Sequence, residues 1–558
     1  MVWSAPWVED QTFSYTLSTD YVDTFKQVKM IMKTSTGSAS AVDYVNIYFS
    51  FSATDRDSDG LKDGDEFGPY SSFDPDSDDN GILDGDESYT GEPLTNSEKI
   101  YGYDLYYMNE NYHLVFYKTY YGLNKYTDDT DGDGISDWTE IDLVARDLMP
   151  WQYGPEWEGY EDLHPNNDDV DGDGLLDGEE LEAIWNPDLD RYTFIFRSHP
   201  CKEDTDNDKL SDKAEKEKGT DPLDADSDDD GLLDGAEVNI FNTEPNECIY
   251  PKDSKLQSDQ LDHLKMINIL GVWQVISAIP ETDRKTVKIA VIDGDPFDTT
   301  HNEFENITIS SYGVDVLYTD LNDATTDYHG TACLGLIASR HNTEGIAGIA
   351  GNIPLEVEVI RAAPTPSAIL GALKAAVGWG AQIISMSTGS LHKTDISILE
   401  YIDEIKDKSD CLFVLSAGNQ GFTNIDGSDY DYRYLFPNHY NFPNIITVGS
   451  LNNQMMRKDD SSYGTTVDIA APGENLYTTF PLGAFGKFGQ TSAATPVVAG
   501  VAALLLSYGD LTLSELTEAL TQSLTPIEFD IQDPAFNLFP GCINAGAALT
   551  YAIEHGFY

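Results

Sequence analysis

At 558 residues the chain has room for about two to four domains, each with its own core. Its 98 acidic against 32 basic residues give a formal net charge of -66, which sets it against nucleic acid and anionic membrane surfaces as direct partners. A share of 40% hydrophobic and 11% aromatic residues is enough for packed cores and excludes a disordered polyanion.

The opening stretch, MVWSAPWVEDQTF, lacks the basic, apolar and small-residue regions of a secretion signal. No run of about 18 apolar residues is expected to cross a bilayer, so the expectation is a chain that stays inside or a processed or trimmed form. VDYVNIYFSFSA, Val42 to Ala53, alternates apolar residues as strands do, and residues 1–52 are expected to form a β-rich N-terminal segment, the end of a larger module.

Residues 53–245 then carry one twelve-residue pattern six times. Carboxylates or their amide stand at places 1, 3, 5, 9 and 12: Asp55, Asp57, Asp59, Asp63 and Glu66, then Asp76, Asp78, Asn80, Asp84 and Glu87. The third and fourth sets are Asp129, Asp131, Asp133, Asp137 and Glu140, and Asp169, Asp171, Asp173, Asp177 and Glu180. The fifth and sixth are Asp204, Asp206, Asp208, Asp212 and Glu215, and Asp226, Asp228, Asp230, Asp234 and Glu237. A hard cation such as calcium takes six to eight oxygens, and a short loop supplies them from alternate side chains, a backbone carbonyl near place seven and a bidentate Glu at twelve. Magnesium demands a stricter octahedron, so calcium is the expected cofactor. Glycine at place six allows the sharp turn in five loops, as Gly60, Gly81, Gly134, Gly174 and Gly231, whereas the fifth has Lys209 and is expected to be weaker or lost.

The pattern resembles the calcium loops of EF-hands and dockerins, and above all thrombospondin type 3 repeats. Without metal each loop crowds like charges, so folding of this region is expected to be coupled to calcium. Calcium supply outside cells suits such loops and favours a secreted or cell-surface location. Between the loops, the Tyr-rich stretch Tyr101 to Leu123 is too aromatic for a linker and is expected to pack as strands or a hairpin. Cys201 and Cys248 bracket the last loops, and whether they pair is open; five cysteines in all are too few and scattered for a disulfide framework.

Beyond residue 250 apolar strands alternate with amphipathic helices, the pattern of a doubly wound α/β domain with a parallel sheet and its site at the strand ends, here residues 255–558. VKIAVID, Val287 to Asp293, reads as a buried strand ending in an acid, and Ser367 to Val377 and Thr495 to Leu506 read as helices. Four stretches carry chemistry: IAVIDGDPFD with Asp293, DYHGTACLGLIAS with His329, SAGNQG with Asn419, and GQTSAATPVVAGVAALLL with Ser492 just ahead of a buried helix and Pro496 in its first turn.

In this order the four resemble the subtilisin-like serine protease family. The resemblance implies a peptide-hydrolysing endopeptidase acting on protein or peptide substrates, with Ser492 as nucleophile, His329 as general base and acid, Asp293 orienting the imidazole and Asn419 as oxyanion donor. It implies substrate contacts at Ser387, Thr388, Gly389, Ala417 and Gly418, with a second substrate-binding segment around Ala362 to Ser367 in which Pro364 and Pro366 remove donors. His301, His341 and His439 carry no such context and read as surface or packing residues. Three departures stand out: Gly294 and Asp295 follow Asp293 where the family has Ser or Thr then Gly, Gln490 replaces a glycine, and Ala493 replaces a methionine. The alternative reading is a calcium-binding adhesion or scaffold protein whose protease-like half is inactive.

Overall fold

The structure, a computed structural model, describes residues 14–15, 28–29, 94–95, 98–99, 103–108, 114–124, 126–149, 159–186, 191–305, 307–313, 329–389, 400–401, 410–421, 442–527 and 538–557. The first two acidic loops, Asp55 to Glu66 and Asp76 to Glu87, the stretch Val42 to Ala53, and His439 lie outside these residues. The chain forms two compact units, Met1–Thr205 with Ser211–Lys216, and Asp206–Leu210 with Glu217–Tyr558.

The first unit is built on two-stranded antiparallel ribbons. Strands β1 (Ser14–Tyr15) and β2 (Val28–Lys29) pair, as do β3 (Tyr103–Met108) with β4 (Leu114–Tyr120) and β5 (Leu181–Asn186) with β6 (Arg191–Phe196). The Tyr-rich stretch is thus a ribbon, and its inward residues Leu105 and Tyr120 join Leu94, Leu123, Tyr160 and Leu163 in a small core. Helix α1 (Asp137–Asp147) starts where the third loop ends, capped by the Ser136 hydroxyl, which accepts from Thr139 N at 3.3 Å. Asp137 and Glu140 therefore stand in its first turn, where carboxylates also suit the partial positive charge of the helix end. Ile135 at place seven of the loop, with Ile141, Leu143 and Val144 of the helix, reaches the same core.

The second unit is organised by a seven-stranded, all-parallel sheet in the order β13-β12-β11-β10-β7-β9-β8. Its strands are β7 (Val287–Asp293), β8 (Thr308–Tyr312), β9 (Leu355–Arg361), β10 (Ile383–Met386), β11 (Leu412–Ser416), β12 (Ile445–Leu451) and β13 (Ile469–Pro472). The two-residue period of a strand divides β7 between faces. Val287, Ile289 and Val291 enter one core with helices α2 (Leu270–Ala278), α3 (His329–Ala338), α5 (Thr491–Tyr508), α6 (Leu513–Gln522) and α7 (Ala545–Glu554). Ala290 and Ile292 face a second core against α4 (Pro366–Trp379). Having filled one side with β8 and β9, the chain crosses β7 to lay down β10, which makes the β7–β10 junction the switch point where such sheets place their sites. With helices packed on both faces of a parallel sheet, this is a doubly wound α/β fold.

Two helix starts differ from the sequence reading. Helix α4 begins at Pro366 with the Thr365 hydroxyl as its cap, so Pro366 starts a helix and only 362–364 remain after β9 for substrate pairing. Helix α5 begins at Thr491, which puts Ser492 inside its first turn and Pro496 beyond it. A proline there deprives the Ser492 carbonyl of its helical donor. The Ser387 hydroxyl at 2.9 Å and the Cys333 thiol at 3.5 Å donate to that carbonyl instead, which is why the helix tolerates the residue. By length and composition α5 also qualifies as a membrane span, contrary to the expectation of no such run, yet 89% of it is buried as the central helix of this unit.

The sixth acidic loop is packed into the second unit. Leu232 belongs to its larger core, Gly271 N donates to Asp230 O at 2.9 Å, and Lys265 pairs with Asp229 at 2.8 Å. A Cβ on Gly271 would stand 2.3 Å from Asp230 Oδ1 and 2.6 Å from Leu232 Cγ. Gly271→Ala gains about 1 kcal/mol of helix propensity but overpacks the loop at a cost of about 1–3 kcal/mol. The expected outcome is a lower denaturant midpoint in calcium; an unchanged or higher midpoint would show that the contact yields.

Candidate active site and acidic loops

Asp293 ends β7 and is 1% exposed. Its Oδ1 accepts from Asp295 N at 2.9 Å, an Asx turn, so the altered Gly294-Asp295 sequence still fixes the carboxylate. Its Oδ2 lies 2.7 Å from His329 Nδ1, at the start of α3. Burial works against the imidazolium, but the Asp293 carboxylate outweighs it and raises the His329 pKa, with the Cys333 sulfur acting in the same direction. Phe488 presents its ring edge-on to the imidazole, with centroids 5.0 Å apart.

Ser492 is 6% exposed, and its Oγ lies 3.5 Å from Ser387 O. Ser387, Thr388 and Gly389 follow β10, and Ala417, Gly418 and Asn419 follow β11, so all of these stand at carboxyl ends of neighbouring strands. Gly418 has φ +97°, and its carbonyl accepts from Ser462 N at 2.9 Å. Asn419 Oδ1 accepts from Thr491 N at 3.1 Å and Thr491 Oγ1 at 2.6 Å, while its Nδ2 donates to Gln490 Oε1 at 3.2 Å.

Cys333 escaped the sequence reading as a site residue. Its Sγ is 3.8 Å from both Asp293 Oδ2 and His329 Nδ1. The signal was the spacing, four residues after His329 and so one helical turn below it. His301 is a packing residue, 4% exposed, with Nε2 3.2 Å from Ala484 O; His341 Nε2 lies 2.9 Å from Gly348 O and its ring meets Trp273 edge-on. All five cysteines, Cys201 and Cys248 among them, are free thiols.

The third, fourth and sixth acidic loops each bring the carboxylates of places 1, 3 and 5 within 4.8 Å of one another. Place nine is partly occupied within the loop: Asp137, Asp177, Asp212 and Asp234 each accept from the backbone N of place two at 2.8, 2.9, 2.8 and 3.1 Å. The Glu at twelve is fully buried in all four described loops, and Glu140 and Glu237 have both oxygens without a hydrogen-bond partner. Burial, with neighbouring carboxylates adding, pushes Glu140 to about 11, Glu180 and Glu237 to about 9, and Asp133, Asp226 and Asp228 to about 7. Buried acids without donors are the chemistry a hard cation satisfies. In the fifth loop, whose residues 206–210 go with the second unit, Lys209 adopts φ +78°, the conformation its glycine counterparts take.

A further acidic pair lies in the second unit, 50 residues apart and without a spacing signal. Asp253, 4% exposed, accepts from Asn342 N at 3.0 Å, and Glu303, 2% exposed, accepts from Ile346 N at 3.3 Å. The second oxygen of each has no partner, and burial, then Asp253 and Glu344, push Glu303 to about 8.

Residues 284–538 match the subtilase family, and residues 129–143, 169–183, 204–225 and 226–247 match the bacterial TSP3 repeat. The major intracellular serine protease of Bacillus subtilis (strain 168) is 32% identical over 260 residues, covering 44% of this chain and 77% of that one. Subtilisin DY of Bacillus licheniformis is 32% identical over 224 residues, covering 39% and 77%. Among solved structures, the prenylagaramide maturation protease PagA aligns with a TM-score of 0.41 and 24% identity over 50% of this chain and 98% of that one. A cold adapted subtilisin-like serine proteinase aligns with a TM-score of 0.38 and 25% identity, over 47% and 89%.

Proposed function

Because this chain belongs to the subtilase family and is a serine-type endopeptidase acting on peptides or proteins, we propose that Ser492, His329, Asp293 and Asn419 carry its chemistry and that calcium in the acidic loops holds it folded. The observation that carries the catalytic part is the 2.7 Å His329–Asp293 contact at the switch point, in a unit whose central helix bears Ser492 in its first turn. Asp293 holds Nδ1–H, so that Nε2 is the free base. His329 takes the Ser492 hydroxyl proton as Oγ bonds to the substrate carbonyl carbon, and the tetrahedral oxyanion takes a hydrogen bond from Asn419 Nδ2. The carbon–nitrogen bond then breaks, His329 returns its proton to the leaving amine, and water repeats the sequence to release the acid. The carbonyls and amides of 387–389, with those of 362–364 on the other side, pair with the substrate backbone as an added strand, and Ala417 and Gly418 line the same pocket.

The loops with unpartnered buried carboxylates support the calcium part, and the Asp253–Glu303 pair offers a second place for a hard cation. Such a cation load suits work outside the cell. A fluorophosphonate probe tests the catalytic part: it is expected to label the wild-type chain and not Ser492→Ala. Equal labelling of both would remove Ser492 from its role.

A further inference from the structure

Gln490 has φ +68° and ψ -170°, a region of backbone space that is essentially reserved for glycine, and it sits directly before the helix that bears Ser492. Its own chain continues normally on either side, with N donating to Gly473 O at 2.6 Å and O accepting from Ala493 N at 3.0 Å. A side chain kept at such a position calls for an account of what that side chain does.

Its two ends are both engaged. Nε2 donates to Asp460 Oδ2 at 2.8 Å, and Oε1 accepts from Asn419 Nδ2 at 3.2 Å. The orientation has no freedom, because an ionised carboxylate only accepts and so must face the Gln490 amide nitrogen, leaving Oε1 for Asn419. From the other side, Thr491 N–H can only donate, so Asn419 must present Oδ1 there and Nδ2 toward Gln490. Two independent constraints thus agree on one rotamer of Asn419, with one Nδ2 hydrogen held by Gln490 and the other available. Lys458 Nζ, 3.6 Å from Asp460 Oδ1, steadies the far end.

We propose that Gln490 is a positioning residue that aims the Asn419 amide at the tetrahedral oxyanion, the chain Asp460–Gln490–Asn419 taking up in this protein a task that a glycine at 490 leaves to Thr491 alone. The inference rests on the reading of Asn419 as oxyanion donor. Preorganisation of this kind acts on the transition state and not on the bound substrate, so its signature is in kcat and in affinity for tetrahedral mimics.

The test uses the full chain in calcium, with Gln490→Gly and Asn419→Ala measured side by side on one peptide substrate. Gln490→Gly fits the backbone conformation and removes only the tether. It is expected to lower kcat about fivefold, the worth of one neutral hydrogen bond, with KM unchanged. Affinity for a peptide aldehyde should fall by the same factor, affinity for the matching product peptide should not change, and the melting temperature should hold or rise. Asn419→Ala is expected to lower kcat about a hundredfold to a thousandfold. If Asn419→Ala behaves so and Gln490→Gly keeps wild-type kcat and aldehyde affinity, the positioning role is wrong while the oxyanion reading stands. A Gln490→Gly chain that loses melting temperature, with aldehyde and product affinities falling together, makes Gln490 merely structural and overturns the proposal. An Asn419→Ala chain with normal kcat removes the premise itself.

Discussion

Asp293→Asn is expected to lower kcat on a peptide substrate by about 10⁴, with KM little changed, because the substitution reverses one hydrogen bond without altering shape. Asp293 Oδ1 is held by Asp295 N at 2.9 Å, an arrangement the asparagine carbonyl oxygen reproduces. That leaves its NH₂ group facing His329 Nδ1, where the carboxylate oxygen stands at 2.7 Å. Nδ1 must then accept, the proton moves to Nε2, and the base is lost. The same change alters the pH profile. Asp293 raises the His329 pKa against burial, so the histidine contributes stability that is fully present below its unfolded pKa and is lost as pH rises through the higher folded value. Without the carboxylate the largest influence that raises this pKa is gone, and the acidic limb of kcat/KM should move to lower pH. A rate within tenfold of wild type, or a limb that stays in place, would show that another group orients the imidazole.

Glu237→Gln is expected to raise the free calcium needed to preserve protease activity on warming by about tenfold or more, while Glu140→Gln leaves that requirement unchanged. A unit charge at ~4 Å contributes several kcal/mol even at an effective dielectric of ~20, so a neutral amide at place twelve weakens cation binding severely. The two positions differ in what they hold. Glu140 belongs to a loop whose apolar residue, Ile135, lies in the core of the first unit. Glu237 belongs to the loop whose Leu232 shares a core with α2 and α5. From that loop the contacts run through Gly271 to Trp273, whose Nε1 donates to Ile349 O at 2.8 Å, and on to Gly500 of α5, where a Cβ would stand 2.5 Å from Ile349. Helix α5 also bears Ser492. The pH dependence follows from raised carboxylates. Glu237 at about 9 and Asp226 and Asp228 at about 7 hold protons in the metal-free fold and are ionised in the unfolded chain. Their contribution is present at low pH and lost as pH rises through those values, so metal-free melting temperature should fall from pH 5 to pH 9. With calcium the trend should vanish or reverse, since ionised ligands bind the cation. Equal sensitivity of the two Gln variants would defeat the assignment.

The fold was readable where burial is continuous. VKIAVID is apolar on both faces because each face meets a helical layer, and that run announces a parallel strand. The candidate site was readable only as a resemblance, since Asp293, His329, Asn419 and Ser492 come from four separate segments and no local pattern gives the distances between them. What a single segment holds was available and partly overlooked, as with Cys333 one turn from His329. Helix starts failed for a physical reason. Proline reads as a first-turn residue because its missing donor is harmless there, but in α5 side chains of Ser387 and Cys333 replace the donor and the helix begins a turn earlier. The Asp253–Glu303 pair had no local signal at all.

Within each unit the acidic loops also meet their neighbours in a fixed register, and this limits what evolution or an engineer can do with them. In each described junction the carboxylate at place five meets the backbone N–H at place ten of the following repeat: Asp133 with Gly178 at 3.0 Å and Asp173 with Lys213 at 2.8 Å in the first unit, Asp208 with Gly235 in the second at 2.5 Å. Two of these joints close on glycine, where a Cβ would fall 2.3 Å from the carbonyl of Asp133 or Asp208. The joint between them accepts a lysine, whose Nζ reaches Gly174 O at 3.1 Å. The repeats look alike as ligand sets but differ as neighbours, so they are not interchangeable beads. A copy of the fifth moved into the place of the sixth would bring Lys213 to a joint with no room for its Cβ, and lengthening or shuffling of the array is confined to permutations that keep glycine and lysine joints where they are.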